Sequence, residues 1–548
     1  MRPPRAIVVA AVLVLGLYII FGLRAARYEP QASGAFSWAA FHVHSNLSDG
    51  IGDLETIASA AREAGIDTVF LSEHGMPHRH AALVDQTIDG VRFVGGSEVG
   101  LPEGHVIVTA PRSVPDYKLP PDPVQAIEEI HAWDGIAVVT YPEDPKHGWA
   151  YWHDALRPDA IEIVNLTSYF RAAGVGRRLR WASQYIFQPL SYLSSVEPPA
   201  FALTKWDEML ARGPVAGIYS VNAHGGFEVT ERSRIATPSY RDNFAMAALG
   251  FQRADAADPL GAFRRQAFFS ILRGAGEPLH FDFSAEHDGR RYPMGSHLEQ
   301  ADHLEVRIDF EPYPHQIRLI RDGEVVATGE GTVRLDQPES GVYRVEVRLR
   351  SHPFLSEDVP WILSNPIYLR PSTYGQPRSL ASSVACAGAI ELPLADWRVE
   401  KDPDSRAELT RSDEHLVLDY RIAPATPAVP DRWVALAYRR ELSLQAYDRV
   451  QIQAFGDRPM RYWLELRSGG DGFFRSVRIE PIAGTNPSAN LAEISLNQTF
   501  AVFGSRQTSA LTSADALFLT INSANSHTDF AASLTLQEVS LCPSASTP

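Results

Sequence analysis

Between residues 36 and 275 short apolar runs alternate with helical stretches, and past Gly276 the helices stop. The apolar runs fall at 41–44, 68–71, 92–95, 106–108, 136–139, 161–164 and 215–220. Helices are predicted over 53–64, 122–133 and 202–211. In the first of these, alanines and Ile57 recur at helical spacing until Gly65 ends it. Strands alternating with helices predict an α/β domain with a parallel sheet, here closed into a barrel. Polar residues cluster just behind the strands, where barrel enzymes carry their chemistry.

After Gly276 the texture is that of sheets alone. From about 278 to 372 the runs 304–308 and 317–320 lead into Asp322-Gly323, a hairpin turn, and 343–347 alternates cleanly behind Gly341. This predicts a small β-sandwich resembling an immunoglobulin-like domain. Residues 376–544 hold further strands at 433–438, 450–454, 462–466 and 517–521, as expected of a jelly roll of the galactose-binding or carbohydrate-binding-module kind. Trp397, Trp433, Tyr462 and Trp463 there form either a sugar platform or part of the core. The expected division is an N-terminal anchor or signal segment over 1–30, the barrel over 36–275, the sandwich over 278–372 and the jelly roll over 376–544.

A chain of 548 residues suits this number of domains, and 45% hydrophobic with 21% charged residues gives ample core. The net charge of −16 argues against general nucleic-acid binding, which needs concentrated positive surface. At the N-terminus, Arg2 and Arg5 precede an uncharged apolar run from Ala6 to Leu23, and Arg24, Arg27 and Glu29 follow. The run is near the lower limit for a membrane span and long for a signal-peptide core, so it reads as an uncleaved anchor, with a cleaved signal as the alternative. Cys386 and Cys542 sit near the two ends of the last segment, either as a disulfide or as two buried thiols. Together these features place the body of the protein in the periplasm or outside the cell.

The chemistry-bearing residues lie in the first region. His42 and His44 alternate on one strand, so both imidazoles point to one face, as a chelating pair requires. Asp49 adds a hard oxygen donor. Glu73-His74 follows the next strand, Glu98 sits in Gly95-Gly96-Ser97-Glu98, His105 opens a further strand, and Asn222-Ala223-His224-Gly225 closes the last. A glutamate can bridge two metal ions that hold a substrate phosphate and lower the pKa of bound water.

His42-x-His44 with Asp49, Glu73-His74, Gly-x-Glu98 and Ala223-His224, in that order, resembles the PHP (polymerase and histidinol phosphatase) family of metallohydrolases. The resemblance covers about residues 36 to 275. It implies a distorted seven-stranded barrel, hydrolysis of phosphoesters, and one to three divalent ions, zinc, manganese or iron. Carried over, one ion takes His42, His44, bridging Glu98 and the position of Asn222. A second shares Glu98 with His105 and the position of Tyr141, and a third takes Asp49, His74 and His224. Glu73 and His74 are the catalytic candidates, Glu73 as a residue that orients the His74 ring.

The chain departs from the family at two places. Where the family's fourth motif has Ser-Asp-Ala-His, this chain has Asn222 in the aspartate position; where its third has Ala-His-Pro, this chain has Thr140-Tyr141-Pro142. Asparagine ligates only through its carbonyl oxygen, and neutral tyrosine is a poor ligand. Glu143, Asp144 or His147 could compensate. Arg79, Arg171 and Arg177 are phosphate-binding candidates, while His78, His80 and His131 read as exposed. The basic, aromatic stretch 177–192 fits a lid over the barrel mouth or a membrane-surface segment. Two functions are therefore open. One is an exported, membrane-anchored metal-dependent phosphoesterase acting on a small phosphoester or an envelope polymer. The other is a catalytically degenerate barrel that binds a ligand or glycan.

Overall fold

The structure is a computed structural model that describes residues 34–374 and 386–544, apart from internal stretches of which 175–188 and 483–490 are the longest, together with residues 12, 13 and 16. The apolar run from Ala6 to Leu23 lies almost wholly outside the described residues, as does most of the stretch 177–192. Among the described residues no helix is long and apolar enough to cross a membrane.

The chain divides into two compact units, residues 1–113 with 127–376, and residues 114–126 with 377–548. In the first unit ten strands lead to the site. They are β1 (Phe36–Val43), β2 (Thr68–Leu71), β3 (Glu73–His74), β4 (Asp85–Ile88), β5 (Val91–Val94), β6 (Gly96–Leu101), β7 (Gly104–Thr109), β8 (Ile136–Val139), β9 (Ala160–Asn165) and β10 (Ala216–Ser220). Helix α1 (Leu54–Glu63) follows β1. Asp53 caps it by accepting the Thr56 N–H at 2.9 Å, and Ile57, Ala58 and Ala61 are its buried face.

The pairing is mixed, which departs from the parallel sheet that the alternation predicts. One sheet runs β10-β9-β8-β7-β6-β3. Its outer pairs are parallel, but β6 with β7 and β7 with β8 are antiparallel. The cause at β6–β7 is the loop: Leu101 pairs with Gly104, and two intervening residues allow a hairpin but no crossover. A (β/α) barrel is thus not what the strand pairing by itself shows.

The other sheet joins β4, β5, β2 and β1 to strands Ala248–Gln252 and Phe268–Ile271, and continues through Ile362–Ser364, Gly341–Leu349 and Ile367–Leu369. It therefore passes Gly276 without a break, because Phe269, Ser270 and Ile271 pair antiparallel with Ser364, Leu363 and Ile362. Buried Asn365 reinforces this junction. Its Oδ1 accepts the Gly217 N–H at 2.8 Å, and its Nδ2 donates to the Phe268 carbonyl at 3.0 Å. Asp322 and Gly323 both have positive φ, 49° and 88°, and close the predicted two-residue hairpin between strands His315–Arg321 and Glu324–Gly329.

The second unit is built from antiparallel sheets whose inward faces share one apolar core, with Leu418 and Ile452 from one side and Leu436, Leu464 and Leu519 from the other. Cys386 and Cys542 form a disulfide. Trp397, Tyr462 and Trp463 are buried, so they do not form the sugar platform considered from the sequence. Trp433 is half-buried against a small cluster of Ala435, Ala437, Ala516 and Phe518. Trp397 and Tyr462 face the shared apolar core, whereas strand alternation sends Trp463 to the opposite face, where it pairs across from Thr520 and lies under the Arg475 guanidinium.

Candidate metal centre

The end of β1 carries the first donors. His42 has a left-handed backbone, φ 70°, and the register with β2 shifts between Phe41 and Val43. This bulge keeps the His42 and His44 rings 5.1 Å apart. Beyond β10 the chain is sewn to β1 by backbone bonds: Val221 N–H to Phe41 O, Ala223 N–H to His42 O, and His44 N–H to Ala223 O, at 2.9–3.1 Å. That pairing stacks the His224 ring on His44, with centroids 4.2 Å apart. On the other side β3 pairs parallel with β6, placing His74 opposite Glu98.

Two overlapping donor groups result, His44, Asp49, His74 and His224 in one and His42, His44 and Glu98 in the other. In each, the donor atoms lie within 4.8 Å of one another. Half-exposed Asp49 faces His44 Nδ1 at 3.6 Å, His74 Nε2 at 3.4 Å and His224 Nε2 at 3.3 Å. Buried Glu98 Oε2 faces His42 Nε2 at 3.2 Å, His44 Nε2 at 3.5 Å and His74 Nδ1 at 3.5 Å.

These residues fit divalent ions, and orphaned atoms are the test. Both ring nitrogens of His44, Glu98 Oε1, His105 Nδ1 and Asn222 Oδ1 are buried with no hydrogen-bond partner. Buried polar atoms are nearly always bonded, so the unpaired atoms gathered around His44 and Glu98 are ones that a bound ion would satisfy, and imidazole with carboxylate suits zinc, manganese or iron.

Charge follows the same pattern. Burial disfavours the charged form of His42, yet Glu162 and Glu98 outweigh it and push the imidazole up to about 9. Burial, reinforced by His224 and His42, holds His44 well below the ordinary histidine range, leaving it neutral and able to coordinate. Asp49 and Glu98 are held below the carboxylate range; burial opposes this and the surrounding histidines prevail.

The remaining expected residues are placed differently. His105 belongs to neither donor group. It sits beside Tyr141 and His147, with ring centroids 5.6 Å and 5.1 Å away. Burial, then Glu98 and Glu162, raise the Tyr141 phenol well above its ordinary value, so it remains a neutral hydroxyl and a poor ligand. Glu73 was expected to orient the His74 ring. It is instead buried and accepts the Ser45 N–H and the Ser48 hydroxyl, bracing the loop that leads to Asp49. Asp144 is buried and pairs with Arg171 at 3.0 Å, and the Arg171 guanidinium lies 5.6 Å from the Tyr141 ring centroid. Glu143 accepts the Ala202 N–H at 2.9 Å. His78 caps a short helix through Nδ1, His80 is exposed, and His131 meets Asp159 at 2.9 Å. Arg177 lies outside the described residues.

Sequence reasoning missed Glu162, whose Oε1 stands 2.6 Å from His42 Nδ1. The signal was present: one charged residue inside an otherwise apolar run, Ala-Ile-Glu-Ile-Val, in a strand buried on both faces.

No protein-family model matches the chain, and no curated protein matches it. Among solved structures, a two-domain protein containing a predicted PHP-like metal-dependent phosphoesterase from Bacteroides vulgatus is similar at 14% identity, over 62% of this chain and 99% of that one, with a TM-score of 0.26. A family 11 carbohydrate-binding module from Clostridium thermocellum, in complex with a mixed-linked tetrasaccharide, is similar at 7% identity over 30% of this chain and all of that one, with a TM-score of 0.23. A family 4 carbohydrate-binding module is similar at 11% identity over 27% of this chain and 86% of that one, with a TM-score of 0.18.

Proposed function

We propose that the chain is a PHP-like, metal-dependent hydrolase of phosphoesters, exported and held at the membrane by its N-terminal segment. The observation that carries this reading is the convergence of His42, His44, Asp49, His74, Glu98 and His224 on two overlapping donor groups that share His44. A divalent ion held there supplies Lewis acidity and acidifies water. The protein's own part is to keep His44 neutral and Asp49 and Glu98 ionised, and to brace the loop leading to Asp49 through Glu73. The strands are read as a distorted barrel. Backbone bonds from β1 to the segment after β10, and the pairing of β3 with β6, support a ring of β1, β2–β3, β6, β7, β8, β9 and β10. The export reading rests on the apolar run between Ala6 and Leu23 and agrees with the disulfide.

A second reading, ligand or glycan binding without turnover, rests on Tyr141 and Asn222 at positions where the resemblance implies ligands. Elemental analysis of protein purified without chelators, paired with turnover of a phosphomonoester and a phosphodiester by wild type, His44→Ala and His224→Ala, separates the two. Bound metal with turnover lost in both variants supports the hydrolase. Bound metal with no turnover supports the binder, and substoichiometric metal without histidine-dependent turnover sinks the hydrolase.

A further inference from the structure

The centre contains a carboxylate to which none of these roles falls. Glu162 is fully buried in the middle of β9. Besides its Oε1 contact to His42, its Oε2 accepts the backbone N–H of Tyr141 at 3.1 Å and the Nδ2 of Asn165 at 2.9 Å. Asn165 Oδ1 in turn meets Asn222 Nδ2 at 3.5 Å. One side chain thus ties together His42, Tyr141 and Asn222, the residues of the centre whose backbones are left-handed, at φ 70°, 55° and 46°. Such conformations are strained for most non-glycine residues and persist only where their surroundings over-determine them.

We propose that Glu162 is a positioning residue of the metal centre: it takes the Nδ1–H of His42 and so presents Nε2, which faces Glu98 Oε2, to a divalent cation. The inference rests on the metal-hydrolase reading. The two nitrogens of an imidazole are not equivalent, and a carboxylate on one fixes the tautomer, the ring plane and the basicity of the other. A glutamine at 162 keeps the shape but has one carbonyl oxygen, so it cannot serve His42 and the two N–H donors of Tyr141 and Asn165 together. An aspartate keeps the charge and shortens the reach.

The test is competition titration of zinc into the full chain, with the cobalt ligand-field spectrum and the metal-free melting temperature recorded for wild type, Glu162→Gln and Glu162→Asp. The expectation is a roughly 10–100-fold weaker zinc affinity in Glu162→Gln. Altered cobalt bands, a nearly unchanged metal-free melting temperature and partial recovery in Glu162→Asp should accompany it. Unchanged zinc affinity and cobalt bands in Glu162→Gln would overturn the inference alone. A loss of affinity matched by a collapse of the metal-free melting temperature would also overturn it, since that marks a structural role. Failure of the wild type to bind either metal would instead overturn the metal-hydrolase reading, and this inference with it.

Discussion

Asn222 donates its Nδ2 to the hydroxyl of Tyr141 at 3.0 Å, so the two residues that depart from the PHP pattern are bonded to each other. That bond fixes the amide, and it leaves Asn222 Oδ1 as the buried atom without a partner. The departure is thus a paired change in which one neutral group orients the other.

Asn222→Asp restores a negative donor at a left-handed position that aspartate tolerates. Tighter binding of one divalent ion is expected, by on the order of tenfold or 1.4 kcal/mol. The metal-free protein should melt lower, since another carboxylate is then buried near Glu98 and Glu162. Isothermal titration and a thermal melt read the two effects, and equal affinity would show that position 222 does not ligate.

Asp49→Asn removes the carboxylate that faces three histidines while leaving the buried His42, His44 and Glu98 group intact. Stoichiometry should fall by one ion, or affinity for one class of site should weaken by at least about tenfold, the lower figure for losing even an outer partner of a ligand. Metal counting under matched free zinc checks it; unchanged stoichiometry and affinity would remove Asp49 from the centre.

Metal binding should release a proton. Despite burial, Glu162 and Glu98 hold the metal-free His42 imidazole at about 9, so near neutral pH it carries a proton that ligation through Nε2 must displace. Because the free state binds the extra proton, affinity rises with pH, by about tenfold per unit until the pH passes that pKa, and then levels off. Titrations at pH 7 in two buffers of different ionisation enthalpy measure the proton count, and a count of zero would mean that His42 is neutral in the free protein.

The Cys386–Cys542 disulfide closes a separation of 156 residues. Reducing it should destabilise the C-terminal unit by about 2–5 kcal/mol, the upper value being the loop-entropy expectation for so long a loop. Urea unfolding with and without reductant reads this, and an unchanged midpoint would show that the bond does not stabilise the unit.

Much of the centre could be read directly from the chain because polar residues interrupting apolar strands stand out. His42 and Glu98 do so within β1 and β6, while His44, His74 and His224 stand just past the apolar strands β1, β2 and β10, and the strand positions found by pattern agree closely with those observed. Glu162 interrupts a strand in the same way but passed as a strand residue, since a second carboxylate behind a histidine leaves no spacing rule. The antiparallel turn between β6 and β7 was hidden because apolar runs look alike whichever way their neighbours point. Side-chain roles were hardest where partners are distant in sequence. The bonds from Glu73 to Ser45 and Ser48, and the burial of Trp397, Tyr462 and Trp463, are set by tertiary packing rather than by local pattern.

The strand Phe268–Ile271 lies between Ala248–Gln252 and Ile362–Ser364 in one sheet. Anyone wishing to isolate the metal centre as a recombinant fragment would be tempted to stop near Gly276, where the texture of the sequence changes. Such a fragment would lose the partner of this strand and present a bare row of amides and carbonyls with Phe268, Phe269 and Ile271 beside it, an invitation to self-association. A soluble fragment needs its last residue beyond Leu369, after the sheet has been completed.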